Sequence, residues 1–235
     1  MSISRAYHLF LTSLPEGRLK NYFTTLRLNS LRGNPFAIRY NFFRNVWKVT
    51  YNSSEFIFAR NPYLTFKKDI AILRKMPAWE PEVIIDANPG QGSTSLLLAK
   101  MNPEATVYVF EPEAVNYNIM MENMYHNNLS NTVVVPRKDS QLDKFLLDEI
   151  AGHFFDKSIV LKIHLPDCGQ EVISIIADIW RYNHLRVVLT TETSAALSYS
   201  YDVIGKTCSE QGLPFIFNRN DRNIPVSINE RNLMG

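Results

Sequence analysis

Five residues in the middle of this chain have the types and spacing of a small-ligand site: Asp86, Asn88, Gly90, Gly92 and, nineteen residues beyond Gly92, Glu111. From Val83 to Lys100 a β-branched run ends in Asp86, a Pro/Gly turn follows, and Leu96, Leu97, Leu98 and Ala99 continue as an apolar helical segment. This is a strand, a glycine turn and a helix. Gly90 and Gly92 leave the backbone without Cβ where it turns, so a ligand can approach the main chain and the helix amino end. A carboxylate at Glu111, past the next strand, can accept both hydroxyls of an adenosine ribose, which suits NAD as well as S-adenosylmethionine. The best dinucleotide alignment, Gly90-Gln91-Gly92-Ser93-Thr94-Ser95, lacks the third glycine. Asp86 would repel a pyrophosphate but can hold the ammonium of an amino-acid tail, directly or through water. The local electrostatics favour a cationic ligand. No Gly-Lys-Ser/Thr follows the turn, which excludes a Walker loop.

The elements that must position these residues read in order. Residues 4–14 and 17–28 predict short helices separated by Leu14-Pro15-Glu16-Gly17, and Arg32-Gly33-Asn34-Pro35 predicts a turn. Alternation in Val46-Trp47-Lys48-Val49-Thr50-Tyr51 and again in Glu55-Phe56-Ile57-Phe58-Ala59, across Asn52-Ser53-Ser54, predicts a β-hairpin over 45–60. Residues 66–76 predict a helix. Beyond the glycine turn, strands at 106–110, 132–135, 158–163 and 185–189 alternate with helices at 113–127, 140–150, 169–182 and 200–211, and 214–218 with 224–228 form an edge pair. Such alternation predicts an α/β fold with a mostly parallel sheet covered on both faces, its ligands bound beyond the carboxyl ends of the strands. Asp86, Glu111, His164 and Glu192 lie at or just past those ends.

Charge is distributed unevenly. The 235-residue chain carries a net charge of only +2, yet residues 1–50 hold eight basic side chains against one acid, Glu16, and nine aromatics. Three readings of this front segment stay open: a helical lid or docking segment, a mitochondrial targeting segment, and a surface for RNA or another acidic partner. Cys168 and Cys208 have no metal-ligand spacing, and His126, His153 and His184 are scattered, so no metal is assigned. Met120, Met121 and Met124 read as packing residues. No apolar run is long enough for a membrane span, and the expected location is intracellular, cytoplasm or mitochondrial matrix.

Asp86-x-Asn88-x-Gly90-x-Gly92 resembles the first motif of class I S-adenosylmethionine-dependent methyltransferases. Val107-Tyr108-Val109-Phe110-Glu111-Pro112-Glu113, then Asn116, Asn123, Asn127-Asn128-Leu129-Ser130-Asn131 and Val133-Val134-Val135-Pro136, is similar more narrowly to the FkbM-like family, as are the preceding hairpin and Val160-Leu161-Lys162-Ile163. The resemblance covers roughly residues 46–190. It implies a Rossmann-like methyltransferase fold for residues 82–235, preceded by a basic aromatic segment over 1–44 and a hairpin with a helix over 45–81. It also implies the cofactor S-adenosylmethionine and O-methylation of a sugar or similar hydroxyl. Carried onto this chain, Asp86, Asn88, Gly90 and Gly92 line the methionine part of the cofactor, Glu111 its ribose, and Asp139 the adenine amine.

Two departures bear on mechanism. Asn88 stands where glycine is usual and must adopt a left-handed conformation. Where the family commonly has Lys-Ile-Asp-Val-Glu-Gly, this chain reads Lys162-Ile163-His164-Leu165-Pro166-Asp167. His164 can then be the base that a hydroxyl acceptor needs, with Asp167 orienting it and Glu192 across the cleft. The alternative makes His164 a strand-end histidine and Asp167 a helix N-cap. Two functions follow: a methyltransferase acting on a small-molecule or glycan hydroxyl, or a methyltransferase-like protein without turnover that serves as a subunit or assembly factor of a larger, mitochondrial or RNA-containing complex.

Overall fold

Phe36, Ile38 and Tyr40 alternate with Ala37 and Arg39, and the same period-two pattern continues through Val49 and Phe58, so one face of each strand is apolar. In the computed structural model these residues build a three-stranded antiparallel sheet from β1 (Ala37–Asn41), β2 (Val46–Tyr51) and β3 (Ser54–Phe58). The structure describes residues 10–31, 33–74, 80–135, 154–164 and 183–190, with residue 206 and the pair 227–228. The predicted hairpin is β2–β3, with register Trp47↔Phe58 through Tyr51↔Ser54. β1 is an addition to it, joined by pairs such as Tyr40↔Trp47.

Helix α1 (Arg18–Asn29) precedes this sheet and lies along β1, and α2 (Tyr63–Leu73) follows it. The second helix begins earlier than its apolar periodicity predicts. Asn61 accepts from the Tyr63 N–H and the Pro62 carbonyl from the Phe66 N–H, so the Asn-Pro pair starts the helix. Phe66 is the pivot of the packing. Its ring meets those of Phe36, Phe56 and Phe58 edge-on at 5.2, 5.2 and 5.7 Å. The apolar cluster around it runs on without a break to Ile84, Leu96, Val107, Val160 and Val188. One core therefore serves both sheets.

The second sheet has the order β6-β5-β4-β7-β8-β9. Its strands are β4 (Val83–Ala87), β5 (Thr106–Phe110), β6 (Thr132–Val134), β7 (Ser158–His164), β8 (His184–Thr190) and β9 (Ser227–Ile228). All pairs are parallel except β8 with β9. Every residue of β4 is buried, as a central strand covered on both faces must be. Helix α3 (Ser93–Met101) connects β4 to β5, and α4 (Ala114–Asn127) connects β5 to β6. Chain order departs in opposite directions on either side of β4, with β5 on one flank and β7 on the other, which marks the ligand crevice of an open α/β sheet. The helices predicted at 140–150 and 169–182 and the strand at 214–218 lie outside the described residues; of the helix at 200–211 only residue 206 is described, as helical, and of the strand at 224–228 residues 227–228 are described. Only residues 10–13 of the first predicted helix are described as helical.

Two asparagines close the outer edges of the small sheet. Asn29, the last residue of α1, donates to the Ile38 carbonyl at 2.5 Å and accepts from the Ile38 N–H at 3.0 Å. Asn127, the last residue of α4, does the same for Ile57 of β3, at 2.6 and 3.0 Å. A side-chain amide has the donor–acceptor pair of a peptide group, so each asparagine stands in for a neighbouring strand. Removing Asn127 strands both groups of Ile57. Asn127→Ala should lower stability by about 1–3 kcal/mol, read as a fall in the urea midpoint at unchanged slope; an unchanged midpoint would show that water replaces the amide without cost.

Candidate ligand site at the glycine turn

The turn between β4 and α3 is held by its own backbone. The Asn88 N–H donates to the Phe110 carbonyl at 2.8 Å, continuing the β4–β5 ladder one residue past the strand. Asn88 then takes the left-handed conformation its position demands, with φ of 57°. Gly90 and Gly92 follow at φ of 62° and 80°. They serve different purposes. A Cβ on Gly90 would meet open space, whereas one on Gly92 would lie 2.8 Å from Met120 Cγ and 3.0 Å from Met124 Cε. Gly90 therefore keeps an open face for a ligand, and Gly92 lets α4 press against the turn. Met120 and Met124 are buried in that contact; Met121, on the same helix, is 40% exposed and does not pack as the sequence suggests.

Glu111 sits immediately after β5 and is 4% exposed. Its Oε2 accepts from the Gly90 N–H at 2.8 Å and its Oε1 from the Glu113 N–H at 2.9 Å. Each oxygen keeps a second lone pair, so the carboxylate is oriented by the turn while retaining capacity for two further donors. Burial raises its pKa above the usual 4.5, and the two backbone N–H groups pull it back.

Beneath the turn lies a buried polar cluster. Asp86, fully buried, pairs through Oδ1 with Lys162 Nζ at 2.7 Å and accepts through Oδ2 from the Ser95 hydroxyl at 2.6 Å. Lys162 comes from β7, where the parallel register sets it opposite Asp86. Asp69 of α2 accepts from the Ser93 hydroxyl and is also bonded by Thr94, so a protein carboxyl group already lies against the first turn of α3. Helix N-termini favour acceptors and negative charge, and here the acceptor is the chain's own Asp69. Burial raises the Asp69 pKa above 3.8, against the lowering effects of Ser93 and Lys162. Lys162 thus acts electrostatically on all three carboxyl groups, Asp69, Asp86 and Glu111.

Asp69 and the role of Lys162 are absent from the sequence reading. The available signal for Asp69 was one acid among Phe66, Ile70 and Leu73, on the apolar stripe of its helix. The role of Asn123 is equally hidden in the sequence. It accepts from the Ala59 N–H at 2.8 Å and donates to the Gln91 carbonyl at 2.7 Å, linking the end of β3 to the glycine turn. His164 ends β7 and pairs in register with Thr190, one residue beyond the Ala87↔Ile163 level, so its backbone lies at the carboxyl edge beside the turn. Asp139, Asp167 and Glu192 lie outside the described residues. Among the described residues no group of three His, Cys, Asp or Glu side chains is placed to hold a metal ion.

No protein-family model matches the chain, and no curated protein matches it in sequence. Solved structures do match it. A candidate methyltransferase from Pseudomonas syringae superposes with a TM-score of 0.51 at 9% identity, over 72% of this chain and 99% of that one. Precorrin-6y C5,15-methyltransferase from Geobacter metallireducens gives a TM-score of 0.48 at 15% identity, over 68% of this chain and 84% of that one. TYW2 from M. jannaschii, solved in complex with AdoMet, gives 0.45 at 12% identity, over 84% and 85%. The fold is the Rossmann-like class I methyltransferase fold, a mostly parallel sheet with helices, to which this chain adds the antiparallel three-stranded sheet.

The two glycines should respond unequally to substitution. Alanine at either meets left-handed strain of about 1 kcal/mol, and Gly92→Ala adds a collision with Met120 worth about 1–3 kcal/mol more. Urea denaturation of the two variants checks the order; equal losses would deny the packing role. For Asp69 the sign follows from its raised pKa. The folded chain holds that proton more tightly than the unfolded one, so the contribution is fully present below 3.8 and is lost as pH rises through the raised value. The stability of the native chain relative to Asp69→Asn should therefore fall as pH rises from below 3.8 toward neutrality; a difference that grows with pH would contradict this placement.

Proposed function

We propose that the chain is an S-adenosylmethionine-dependent methyltransferase of the FkbM-like kind, acting on a hydroxyl of a sugar or other small molecule. The observation that carries this reading is the set of groups at the turn: three carboxyl groups, Asp69, Asp86 and Glu111, around Lys162. With the Asp69 carboxyl group already accepting from Ser93 at the first turn of α3, a pyrophosphate would have to displace it where dinucleotides usually bind. A ligand without a pyrophosphate avoids that displacement and meets the Glu111 carboxyl group at the turn. The open face of Gly90 gives its tail access to the main chain, and the remaining lone pairs of Glu111 suit the two hydroxyls of a ribose.

When bound, S-adenosylmethionine supplies an electrophilic methyl group. The chain's own residues hold and orient it: Glu111 fixes the nucleoside end through a carboxylate already aimed by Gly90 and Glu113, and Asn123 steadies Gln91 within the turn. Methyl transfer to a hydroxyl depends mainly on alignment, plus removal of the acceptor proton. In this proposal His164 takes that proton, Asp167 orients the imidazole, Glu192 faces it across the cleft and Asp139 meets the adenine amine. A second reading, a methyltransferase-like subunit without turnover, is supported by His164 and Pro166, which stand where the family commonly has its two acids.

Calorimetric titration with S-adenosylmethionine, S-adenosylhomocysteine and NAD separates these readings. The first two should bind, NAD should not, and Glu111→Ala should weaken binding by about 1–3 kcal/mol for the lost acceptor. Because burial raises the Glu111 pKa and a ribose needs its ionised form, affinity should fall as pH drops through that raised value. Glu111→Gln should flatten the profile. Binding of NAD alone would overturn the cofactor assignment; binding of S-adenosylmethionine with no methyl transfer to any sugar hydroxyl would favour the subunit.

A further inference from the structure

Helix α1 leaves much of its apolar surface outside the core. Its one buried side chain is Thr25, whose hydroxyl donates to the Asn21 carbonyl at 3.0 Å, and its last residue, Asn29, gives its amide to Ile38 of β1. Leu28 packs against the core, but three of the helix's large apolar residues point the other way. Leu19, Tyr22 and Leu26 are 55%, 46% and 50% exposed, and their i, i+3, i+7 spacing sets them on one stripe. Phe10, also exposed, extends the patch through an edge-on contact with Phe23 at 5.3 Å, and Phe23 in turn meets Tyr22 at 5.8 Å. A helix that merely covers its own domain places such a stripe inward. Contiguous exposed apolar surface of this kind marks an interaction site.

The charges around the stripe select the partner. A turn of 3.6 residues puts Arg18 on one flank of the stripe and Arg27 on the other. Residues 1–50 carry eight basic side chains against one acid, and that acid, Glu16, is held by Lys20 at 2.5 Å. Within α1 itself, Arg18, Lys20 and Arg27 are accompanied by no acidic residue. Nucleic acid would use the arginines but has no use for two exposed leucines. A bilayer surface uses both, since leucine and tyrosine enter the headgroup–acyl boundary while flanking arginines reach phosphate. No helix among the described residues is long and apolar enough to cross a membrane, so α1 would lie in the surface plane. We propose that α1 docks the protein on an anionic lipid surface through Leu19, Tyr22 and Leu26, with Arg18 and Arg27 at the headgroups.

Flotation of the full chain with vesicles tests this. The protein should float with phosphatidylcholine vesicles containing about one-third phosphatidylglycerol, at a level that falls as salt is raised, and should stay behind with pure phosphatidylcholine. Arg18→Gln should weaken the anionic binding about fivefold, the contribution of one basic residue at such a surface. Leu19→Ser with Leu26→Ser should weaken it about tenfold or more, with an unchanged melting temperature because both leucines are exposed. Should that double variant unfold, Tyr22→Ser takes its place and must also weaken binding. Failure to float with anionic vesicles, or equal flotation of a folded leucine or tyrosine variant, overturns the proposal. So does concentration-dependent self-association that the leucine pair abolishes without any lipid binding.

Discussion

A carboxylate and an ammonium face each other at 2.7 Å between the two central strands of the parallel sheet. Burying either alone would cost several kcal/mol, roughly the net stability of a small domain. Asp86 and Lys162 are tolerable only together, with Ser95 satisfying the second oxygen of the acid. The pair therefore demands that β4 and β7 be neighbours in one register, and that α3 start where Ser95 can reach back to β4. The turn that bridges Asp86 and Ser95 has little freedom left. Its open face at Gly90 and its packed face at Gly92 are both consequences of how tightly its two ends are tied.

The small sheet belongs to the same construction. Phe66 gathers the aromatic residues of β1–β3 on one side of α2, while Asp69, one turn later on that helix, reaches Ser93. A single helix thus carries the packing of the added sheet and a polar contact to the start of α3. Asn123 makes a parallel connection from the far side, from the end of β3 to Gln91. The added sheet and the glycine turn are joined by a core contact, a buried carboxyl group and an amide bridge. Movement of one would have to break bonds to the other.

What could be read from the sequence follows a physical division. The strand, turn and helix at residues 83–101 and the strand ending before Glu111 announce themselves because their signals are local: β-branched runs, two glycines, an acid at a strand end. The hairpin was legible for the same reason, in the alternation on either side of Asn52-Ser53-Ser54. β1 was not, since five residues after a proline turn give too short an alternation to separate from a loop. Asp69, Asn123, Asn127 and Lys162 were missed in their roles because those roles are long-range: Asn123 and Asn127 find partners 64 and 70 residues away, and Asp69 one 24 residues away. An acid on an apolar helix face looks like a solvated residue until the fold supplies its partner. Conversely, Met121 shows that membership of a methionine run does not make a residue buried.

The asparagines at the two edges of the small sheet have a meaning beyond the strands they bond. An edge strand offers a row of vacant donors and acceptors to any extended peptide, including the same strand of another molecule. At Ile38 and Ile57 both vacant groups are already taken by an amide from the end of a helix, and at Ala59 the N–H is taken by Asn123. An incoming strand would have to displace a bidentate partner before forming its first pair. The sheet is three strands wide because its flanking helices end it, and these edges are thereby guarded against pairing with another backbone at a cost of three short side chains.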